Sequence, residues 1–333
     1  MHPTRRQIGA SLLVAPLLAS RRADATDTWP PSPDPLLWRI DVPPQHEGMA
    51  DGGPNGAVYY RVYGDAPGRT PIVALHGGPA AGHTYMRPYS ALATDRQVVL
   101  YDQTGCGQSA KPSDLSLYTT DRYVEELEAL RVHLGFERII LLGHSWGAML
   151  APAYAAAHPD RVEAVLLAGS VTQVADYQEA AKRWLKAMGP KAVATAAAAE
   201  KSGHTDSPTY QAVLDRYYHA HVIRLRTWPK WLEETLGGLG DNPVYKHLNG
   251  PSEFSISGTL AGVDLRPWLA QMHMPVLVTC GEFDEAPPWV GKKVAAALPN
   301  ARLHAFPGLG HCPHIEDPAQ AIAVTRGFID KLA

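Results

Sequence analysis

The sequence predicts an α/β protein with a mostly parallel, doubly wound sheet and a block of helices inserted between two of its strands. Short apolar runs alternate with stretches of helical periodicity, the pattern of strands that are buried on both faces. Between about residues 169 and 263 this alternation stops, and helical patterns follow one another. Active sites of such sheets lie at the C-terminal ends of the strands, so the loops after the apolar runs should carry the functional residues.

The apolar runs and the segments between them predict the individual strands and helices. Strands are predicted over residues 58–63, at an edge of the sheet, and over 71–75, 97–101, 138–142, 162–168, 275–280 and 301–306. Helices of the core are predicted over 120–133, 288–298 and 318–332. The inserted block predicts helices over 176–187, 190–201, 208–225 and 229–236, which we expect to form a cap over the site.

The composition is that of a globular protein and argues against several kinds of partner. The 333 residues are 45% hydrophobic and 19% charged, and the net charge is −3 at pH 7, so we expect neither nucleic acid nor an anionic membrane as a partner. Cys106, Cys280 and Cys312 are too few and too scattered for a disulfide scaffold or a C-x-x-C zinc site. We expect no metal and no cofactor, and a small molecule or a short peptide as substrate.

Residues 1–25 resemble a signal peptide of the twin-arginine type. A pair of arginines at 5–6 precedes an apolar stretch over 9–19, and Ala-Asp-Ala at 23–25 forms a small-x-small cleavage site. Two arginines directly after the apolar stretch favour the twin-arginine route over general secretion, and a plain anchor or a leader without structure is the alternative. We expect a periplasmic or secreted protein with no membrane segment after cleavage. The predicted organisation is signal peptide (1–25), Pro-rich linker or arm (26–56), core (57–170 and 264–333) and helical cap (171–263).

The stretch Gly143-His144-Ser145-Trp146-Gly147 has the G-x-S-x-G pattern of a nucleophilic serine. It follows a predicted buried strand and opens a helical pattern, which is the strand, turn and helix that this motif requires. The glycines leave room for a sharp turn that exposes the serine hydroxyl. A chance match to so short a pattern is the alternative, and the rest of the chain has to decide between them.

A serine nucleophile needs a base, and the base needs an acid that orients it. Asp284 follows the strand at 275–280 and is the predicted acid, with Glu282 and Glu285 as its rivals. His311 follows the strand at 301–306 and is the predicted base. His314 is its rival, whereas His304, inside that strand, is predicted to be a packed core residue.

Two backbone N–H groups are candidates for an oxyanion hole, which an acyl-transfer site needs. Trp146 follows the nucleophile and offers one of them. Gly78, in the His-Gly-Gly-Pro turn after the strand at 71–75, offers the second because no Cβ blocks the approach of a carbonyl group. The alternative for Gly78 is a simple glycine turn.

Six short strings form a recognisable set, and they read His-Gly-Gly-Pro (76–79), Asp-Gln-Thr-Gly-Cys-Gly-Gln-Ser (102–109), Gly-His-Ser-Trp-Gly (143–147), Asn-Gly-Pro-Ser-Glu-Phe (249–254), Gly-Glu-Phe-Asp (281–284) and Gly-His (310–311). With them the sequence resembles the proline iminopeptidase branch of the α/β-hydrolases, from about Ala57 to the C-terminus. The resemblance implies the α/β-hydrolase fold. It also implies release of an N-terminal residue, often proline, or hydrolysis of the matching amino-acid amide.

The resemblance further implies two cap glutamates that bind the free amine of the substrate, since a buried ammonium must be paired. Glu253 matches one of them and is the candidate substrate-binding residue. The second is expected before a Trp-Pro pair, where residues 224–229 read Arg-Leu-Arg-Thr-Trp-Pro. Glu233 or Glu234 could substitute, although their pattern favours an exposed helix face. Ala80 also departs from the family, which commonly has glycine there.

The sequence therefore predicts a serine hydrolase that cleaves an amide bond through an acyl-enzyme and releases N-terminal proline or another small or apolar residue. A second hypothesis is an amidase or esterase for N-acylated arylamines or other uncharged substrates, which fits the missing glutamate. A third is a binding protein with a vestigial triad, which the complete set of triad and oxyanion groups disfavours. The sequence leaves the oligomeric state open.

Overall fold

The computed structural model describes residues 29–66 and 68–332. The signal peptide predicted over residues 1–25 lies outside the described residues and stays a prediction. In the described part, strands and helices alternate around a single sheet. None of the helices in this part is both long enough and apolar enough to cross a membrane.

Eight strands of the described residues form the sheet, in the order β1-β2-β4-β3-β5-β6-β7-β8. They are β1 (His46–Asp51), β2 (Ala57–Tyr63), β3 (Ile72–Leu75), β4 (Val98–Tyr101), β5 (Ile139–His144), β6 (Val162–Ala168), β7 (Val276–Gly281) and β8 (Ala301–Phe306). Strand β2 is antiparallel to β1 and to β4, and all pairs from β4 to β8 are parallel. The mostly parallel sheet that the sequence predicts is therefore confirmed.

The N-terminal edge of the sheet differs from the prediction. The sequence predicts an edge position for residues 58–63, but β2 lies between β1 and β4, so that prediction is wrong. The edge strand is β1, inside the range 26–56 that the sequence analysis assigns to a Pro-rich arm. Its sequence, His-Glu-Gly-Met-Ala-Asp, contains no β-branched or aromatic residue and is mostly exposed, so it lacks the features by which strands are recognised.

The described part of the chain contains eleven α-helices. They are α1 (Thr120–His133), α2 (Trp146–Ala157), α3 (Val174–Ala187), α4 (Pro190–Ser202), α5 (Pro208–Tyr217), α6 (Lys230–Leu236), α7 (Pro243–Leu248), α8 (Arg266–Leu269), α9 (Pro288–Ala296), α10 (Pro313–Glu316) and α11 (Pro318–Ile329). Short polar side chains begin three of them: Thr119 accepts a hydrogen bond from the N–H of Arg122, Asn242 accepts those of Val244 and Tyr245, and Asp317 accepts that of Gln320. The helix predicted over 208–225 is shorter, because α5 passes into a π-helical turn (Tyr218–Val222) and Ile223 is extended.

The core lies on both faces of the parallel strands, because successive residues of a strand point to opposite sides. On β3, Val73 and Leu75 pack into one hydrophobic cluster, and Ile72 and Ala74 pack into the other. All four are almost completely inaccessible to solvent. The continuous apolar runs in the sequence follow from this two-sided burial.

The helices α3 to α7 lie between β6 and β7 in the chain. Of these, α3 to α5 share a hydrophobic cluster separate from the core, which includes Tyr210, Tyr217 and Phe254. This insertion is hydrogen-bonded to the loops after β7 and β8. Trp184 donates its indole N–H to the carbonyl of Asp284 at 2.9 Å, and the N–H of His311 donates to the carbonyl of His221 at 2.9 Å. The inserted helices therefore contact both loops on which the acid and the base are predicted.

An N-terminal arm, residues 29–44, packs against α10 and α6. Trp38 is buried and donates its indole N–H to the carbonyl of Ile315 in α10 at 2.9 Å. Its ring meets Trp231 of α6 edge-to-face, with ring centroids 5.7 Å apart. The arm thus joins the C-terminal core to the inserted helices through one aromatic side chain.

Candidate active site

Ser145 lies at the sharp turn between β5 and α2, with φ 55° and ψ −119°. Residues other than glycine rarely adopt a backbone conformation with positive φ. It is typical of a nucleophile at the turn between a strand and a helix. A Cβ on Gly143 would lie 2.3 Å from the carbonyl oxygen of Gly147, and one on Gly147 would lie 2.0 Å from that of Leu75. Both positions therefore require glycine, and the turn leaves Ser145 partly exposed in the wall of a cavity of about 850 Å³.

The structure brings Asp284 and His311 into direct contact. Nδ1 of His311 lies 2.6 Å from Oδ1 of Asp284. The carboxylate is completely buried and also accepts the backbone N–H of Ala286 on Oδ1 at 2.7 Å and that of Gly281 on Oδ2 at 3.1 Å. Because these donors fix the carboxylate, it holds the imidazole with Nδ1 protonated and leaves Nε2 for proton transfer.

The rival residues take other positions. Glu282 is exposed and accepts the N–H of Gly308 at 2.8 Å, so it supports the His311 loop from outside. His314 is buried against the ring of Tyr89, at 4.9 Å between centroids, and neither of its ring nitrogens is hydrogen-bonded among the described residues. His304 is partly exposed on β8, which makes its assignment to the core wrong.

Nε2 of His311 faces a second carboxylate. It lies 3.6 Å from Oε1 of Glu285 and has no hydrogen-bond partner in the described part of the chain. Ser145 lines the same cavity but is not hydrogen-bonded to His311, a contact that often forms only once substrate is bound. Burial disfavours the charged imidazole, but the carboxylates of Asp284, Glu285 and Glu253 outweigh burial and raise the pKa of His311 to about 9.

Gly78 and Trp146, the predicted oxyanion donors, line a recess together with Ser145. A Cβ on Gly77 would lie 2.8 Å from Cβ of Ser145, so the glycine turn passes directly beside the nucleophile. Gly78 has φ +112°, and a Cβ there would lie 2.7 Å from the backbone nitrogen of Ala81, so only glycine fits. Trp146 begins α2, where backbone N–H groups have no acceptor within the helix.

Gln103 joins the turn that contains Gly78 to the side chain of Trp146, a role that the sequence analysis missed. Its side-chain N–H donates to the carbonyl of His76 at 3.0 Å, and its side-chain oxygen accepts the indole N–H of Trp146 at 2.8 Å. The neighbouring Asp102 accepts both the backbone N–H and Nδ1 of His83 at 2.8 Å. Burial opposes ionisation of Asp102, but the contacts with His83 hold its pKa well below the usual range. The string 102–109 therefore supports the segments that carry the two predicted oxyanion donors.

Known proteins share this arrangement over most of the chain. The family profile of the alpha/beta hydrolase fold matches residues 70–318. The chain is 35% identical to a proline iminopeptidase of Heyndrickxia coagulans over 277 residues, which are 83% of this chain and 96% of the relative. It is also 35% identical to the proline iminopeptidase of Lactobacillus delbrueckii subsp. bulgaricus over 272 residues, 80% of this chain and 92% of the relative.

The chain belongs to the proline iminopeptidase family of α/β-hydrolases. A crystal structure of a proline iminopeptidase from Mycobacterium smegmatis superposes with a TM-score of 0.79 at 31% identity, covering 86% of this chain and 98% of the other. The crystal structure of VinJ superposes with a TM-score of 0.82 at 29% identity, covering 87% and 100%. The α/β-hydrolase fold and the resemblance that the sequence strings indicate are therefore both confirmed.

Glu253, the residue that matches one amine-binding glutamate of the family, lies in the wall of the cavity that Ser145 lines. It accepts a hydrogen bond from the hydroxyl of Tyr245 at 2.7 Å and another from that of Tyr177 at 3.0 Å. Burial raises the pKa of Glu253 above its usual value, although these two hydroxyl groups oppose the shift. Its described neighbours are hydroxyl donors that fix the carboxylate without neutralising it.

Arg224 lies in the segment where the resemblance leads us to expect the second cap glutamate, and it makes different contacts. Its guanidinium lies 4.0 Å from the ring centroid of Phe283 and donates to the carbonyls of Gly308 and Ala220 at 3.0 Å each. It also faces Glu316, whose pKa burial raises to about 7, while Arg224 favours the charged carboxylate. Arg224 therefore joins the acid loop to the His311 loop. Glu233 and Glu234 are exposed.

The backbone conformation of Ala80 favours glycine, which is the residue that the resemblance leads us to expect at this position. Ala80 has φ +72° and is buried beside the glycine turn. An L-residue in this left-handed region costs roughly 1–2 kcal/mol. The chain keeps the turn in spite of this cost, so the departure at Ala80 leaves the oxyanion loop in place.

Proposed function

We propose that the protein is a proline iminopeptidase, which releases proline or another small apolar residue from the N-terminus of a peptide or from an amino-acid amide. One observation carries the proposal. Beside Ser145 a recess of about 30 Å³ combines apolar walls with the carboxylate of Glu253, and it is lined among others by Met149, Val171, Val174, Ile256, Leu260 and Tyr177. Such a recess suits a small apolar ring that carries a positive charge on one side.

The size of the recess favours small residues. A cavity needs about 10–15 Å³ of this volume for one water molecule, so about 30 Å³ accommodates a small group and no large aromatic side chain. The main cavity of about 850 Å³ continues outwards from Ser145 beneath the inserted helices. We assign the recess to the released residue and the outer cavity to the rest of the substrate.

The reaction then proceeds by acyl transfer. The hydroxyl of Ser145 attacks the carbonyl carbon of the N-terminal residue while Nε2 of His311 takes the hydroxyl proton. The N–H groups of Gly78 and Trp146 stabilise the negative charge on the carbonyl oxygen. Asp284 keeps the imidazolium oriented as it passes the proton to the leaving amine. Water, deprotonated by His311, hydrolyses the acyl-enzyme and releases the free amino acid.

A substrate series tests this function. Wild-type protein should hydrolyse proline p-nitroanilide with a kcat/KM at least 100-fold above that for N-acetylproline p-nitroanilide, since only the first carries an ammonium for Glu253. Ser145→Ala should abolish both activities. A preference for the blocked substrate would instead favour the amidase or esterase hypothesis, and full activity of Ser145→Ala would contradict the mechanism.

We also propose that the protein reaches the periplasm by twin-arginine export. The arginine pair at 5–6, the apolar stretch over 9–19 and the Ala-Asp-Ala at 23–25 support this. An Arg5→Lys/Arg6→Lys variant should remain in the cytoplasm with its leader uncleaved when cell fractions are compared by immunoblot. Appearance of that variant in the periplasm at the wild-type level would refute the route.

A further inference from the structure

A second cavity, of about 1060 Å³, lies beside the catalytic cavity and takes no part in the mechanism above. Residues of the oxyanion loop, of the loop after β4 and of the inserted helices line it, within the ranges 80–87, 102–118 and 231–244. Ala81 and Leu239 line both cavities, so the two spaces adjoin at these side chains. A substrate that extends from Ser145 past Ala81 therefore enters the second cavity.

The boundary between the two cavities consists of small or loosely packed groups. Ala81 presents only a methyl group. Leu239 is half-buried and lies between Gly238 and Gly240. A Cβ on either glycine would meet no heavy atom outside its chain neighbours within 4 Å. Because glycines in open space leave the backbone free to adjust, a peptide can pass between Ala81 and Leu239.

Two basic side chains line the second cavity without an acidic partner. Arg87 and Lys111 form no ion pair among the described residues. Arg87 donates from Nη1 to the carbonyl of Ile40, but its Nε is buried and has no acceptor in the described part of the chain. Burial and the charge of Arg61 lower the pKa of Arg87 from its usual value. Lys111 is exposed. This wall therefore lacks negative charge.

The acidic groups of the same wall are engaged with other residues. Asp102 is buried, and its carboxylate accepts Nδ1 of His83 at 2.8 Å. Glu234 is exposed and is ion-paired with Lys230 at 3.3 Å. The two basic side chains are thus left to bind an anion from outside the chain, and a carboxylate suits a guanidinium and an ammonium.

The catalytic cavity has the opposite charge. Lys246 represents the lysines and arginines in its described wall and lies 3.3 Å from Asp241. Six acidic residues line the same wall: Asp206, Asp215, Glu233, Asp241, Glu253 and Glu285. A free peptide carries its ammonium at the end that is cleaved and its carboxylate at the other end. The two adjoining cavities therefore match the two charges of a peptide in order.

The chain between the cavities limits how long such a peptide can be. Ala81 and Arg87 are six residues apart in the sequence, so their Cα atoms are separated by at most about 20 Å. An extended peptide spans roughly 3.3–3.6 Å per residue. A leaving peptide of up to about six residues therefore reaches from the boundary at Ala81 to Arg87.

We propose that the second cavity binds the C-terminal carboxylate of a short peptide substrate through Arg87 and Lys111, so that the enzyme prefers short free peptides to blocked or longer ones. This inference rests on the proposed aminopeptidase function. The N-terminal proline occupies the recess beside Ser145, and the leaving peptide crosses between Ala81 and Leu239 into the second cavity.

Peptides that differ only at the C-terminus test the site. Proline followed by about one to eight glycines, as the free acid and as the C-terminal amide, presents one ammonium and one scissile bond in both forms. Release of free proline measures the reaction. At the best length, wild-type kcat/KM for the acid should exceed that for the amide about tenfold or more, the range for a charge-assisted hydrogen bond. For the longest peptides the two forms should converge.

Substitutions of the two basic residues should remove this preference. In Lys111→Gln and in Arg87→Gln, kcat/KM for the acid should fall towards that for the amide, while the amide stays within about threefold of wild type. Arg87→Lys keeps the charge and should retain part of the preference. Lys331→Gln is the matched control, since Lys331 is exposed after α11 and lines neither cavity, and it should leave both forms unchanged.

Calorimetric titration of Ser145→Ala with the same peptides measures binding without turnover and separates this inference from the proposed function. If wild-type protein releases no proline while Ser145→Ala binds the acid about tenfold more tightly than the amide, and adding Lys111→Gln removes the difference, the proposed function fails and the carboxylate site stands. If wild-type protein releases proline equally from acid and amide at every length, the proposed function stands and the carboxylate site falls.

Two further results would overturn the assignment of Arg87 and Lys111. A wild-type preference for the acid in both glutamine variants would place the carboxylate elsewhere. An equal loss on acid and amide in both variants would show that these residues maintain the structure of the site and do not bind the carboxylate. Because Lys111 is exposed, its substitution tests the charge without disturbing the contact between Arg87 and Ile40.

Discussion

Replacing Asp284 with asparagine tests the acid assignment, because the two side chains have the same shape and differ in their hydrogen-bonding groups. The carboxylate accepts three N–H donors: Nδ1 of His311 and the N–H of Ala286 on Oδ1, and the N–H of Gly281 on Oδ2. An amide has one acceptor oxygen and one NH₂ group. In one orientation its NH₂ group faces the N–H of Gly281, and in the other it faces both His311 and the N–H of Ala286.

The two orientations of the amide have different consequences. With its NH₂ towards Gly281, two donors oppose each other in a fully buried place, at a cost of about 1–3 kcal/mol. With its NH₂ towards His311, the imidazole must present a lone pair on Nδ1 and carry its proton on Nε2. That tautomer cannot accept the hydroxyl proton of Ser145.

We expect Asp284→Asn to lower kcat for proline p-nitroanilide by about 10³- to 10⁴-fold, or about 4–5.5 kcal/mol of transition-state stabilisation. Steady-state kinetics with the variant and with Asp330→Asn, an exposed aspartate after α11, as control measure the effect, and the melting temperature shows whether the protein remains folded. A loss below tenfold would refute the assignment, and Glu285, the other carboxylate that contacts His311, would then be the residue to examine as the acid.

Three further predictions concern the turn, the base and the link between the catalytic loops. Gly147→Ala should lower the free energy of unfolding by at least about 1–3 kcal/mol in a denaturant titration, because its Cβ would lie 2.0 Å from the carbonyl oxygen of Leu75; an unchanged midpoint would contradict the turn geometry. Burial opposes the imidazolium, but Asp284, Glu285 and Glu253 raise the pKa of His311 to about 9. Since only the neutral ring is a base, kcat/KM for an aryl ester should rise from pH 6 to pH 9, and a plateau complete by pH 7 would disagree. Arg224→Leu should lower the free energy of unfolding by about 3–5 kcal/mol, the range for leaving a buried charge, here Glu316, without its partner. A melting temperature equal to wild type would exclude a structural role of Arg224 between the catalytic loops.

The parallel strands and the nucleophile turn could be predicted from the sequence because their signals are local. Buried strands appear as continuous apolar runs, and Gly143 and Gly147 have to be glycine for contacts within or beside the same turn. The positions of Asp284 and His311 follow from the rule that functional loops come after the strands. Their contact at 2.6 Å requires only that β7 and β8 are neighbours in the sheet.

Other features depend on contacts between distant parts of the chain and leave no local signal. Strand β1 has few strand-forming residues and is stabilised by its pairing with β2. Gln103 is a polar loop residue until its bonds to His76 and Trp146 are seen. For Glu285, the position next to Asp284 suggests only a rival acid. Its burial 3.6 Å from Nε2 of His311 is seen only in the structure.

The N-terminal arm has a practical consequence for anyone who shortens or tags this protein. Trp38 is hydrogen-bonded to α10, directly after the His311 loop, and its ring rests on Trp231 of the inserted helices. A shortened protein that begins at the first parallel strand would lose the edge strand and this indole together. The helix α6 would then have one neighbour fewer to hold it beside the mouth of the cavity. Where the purified protein starts can thus alter substrate entry, although no residue of the arm lines the catalytic cavity.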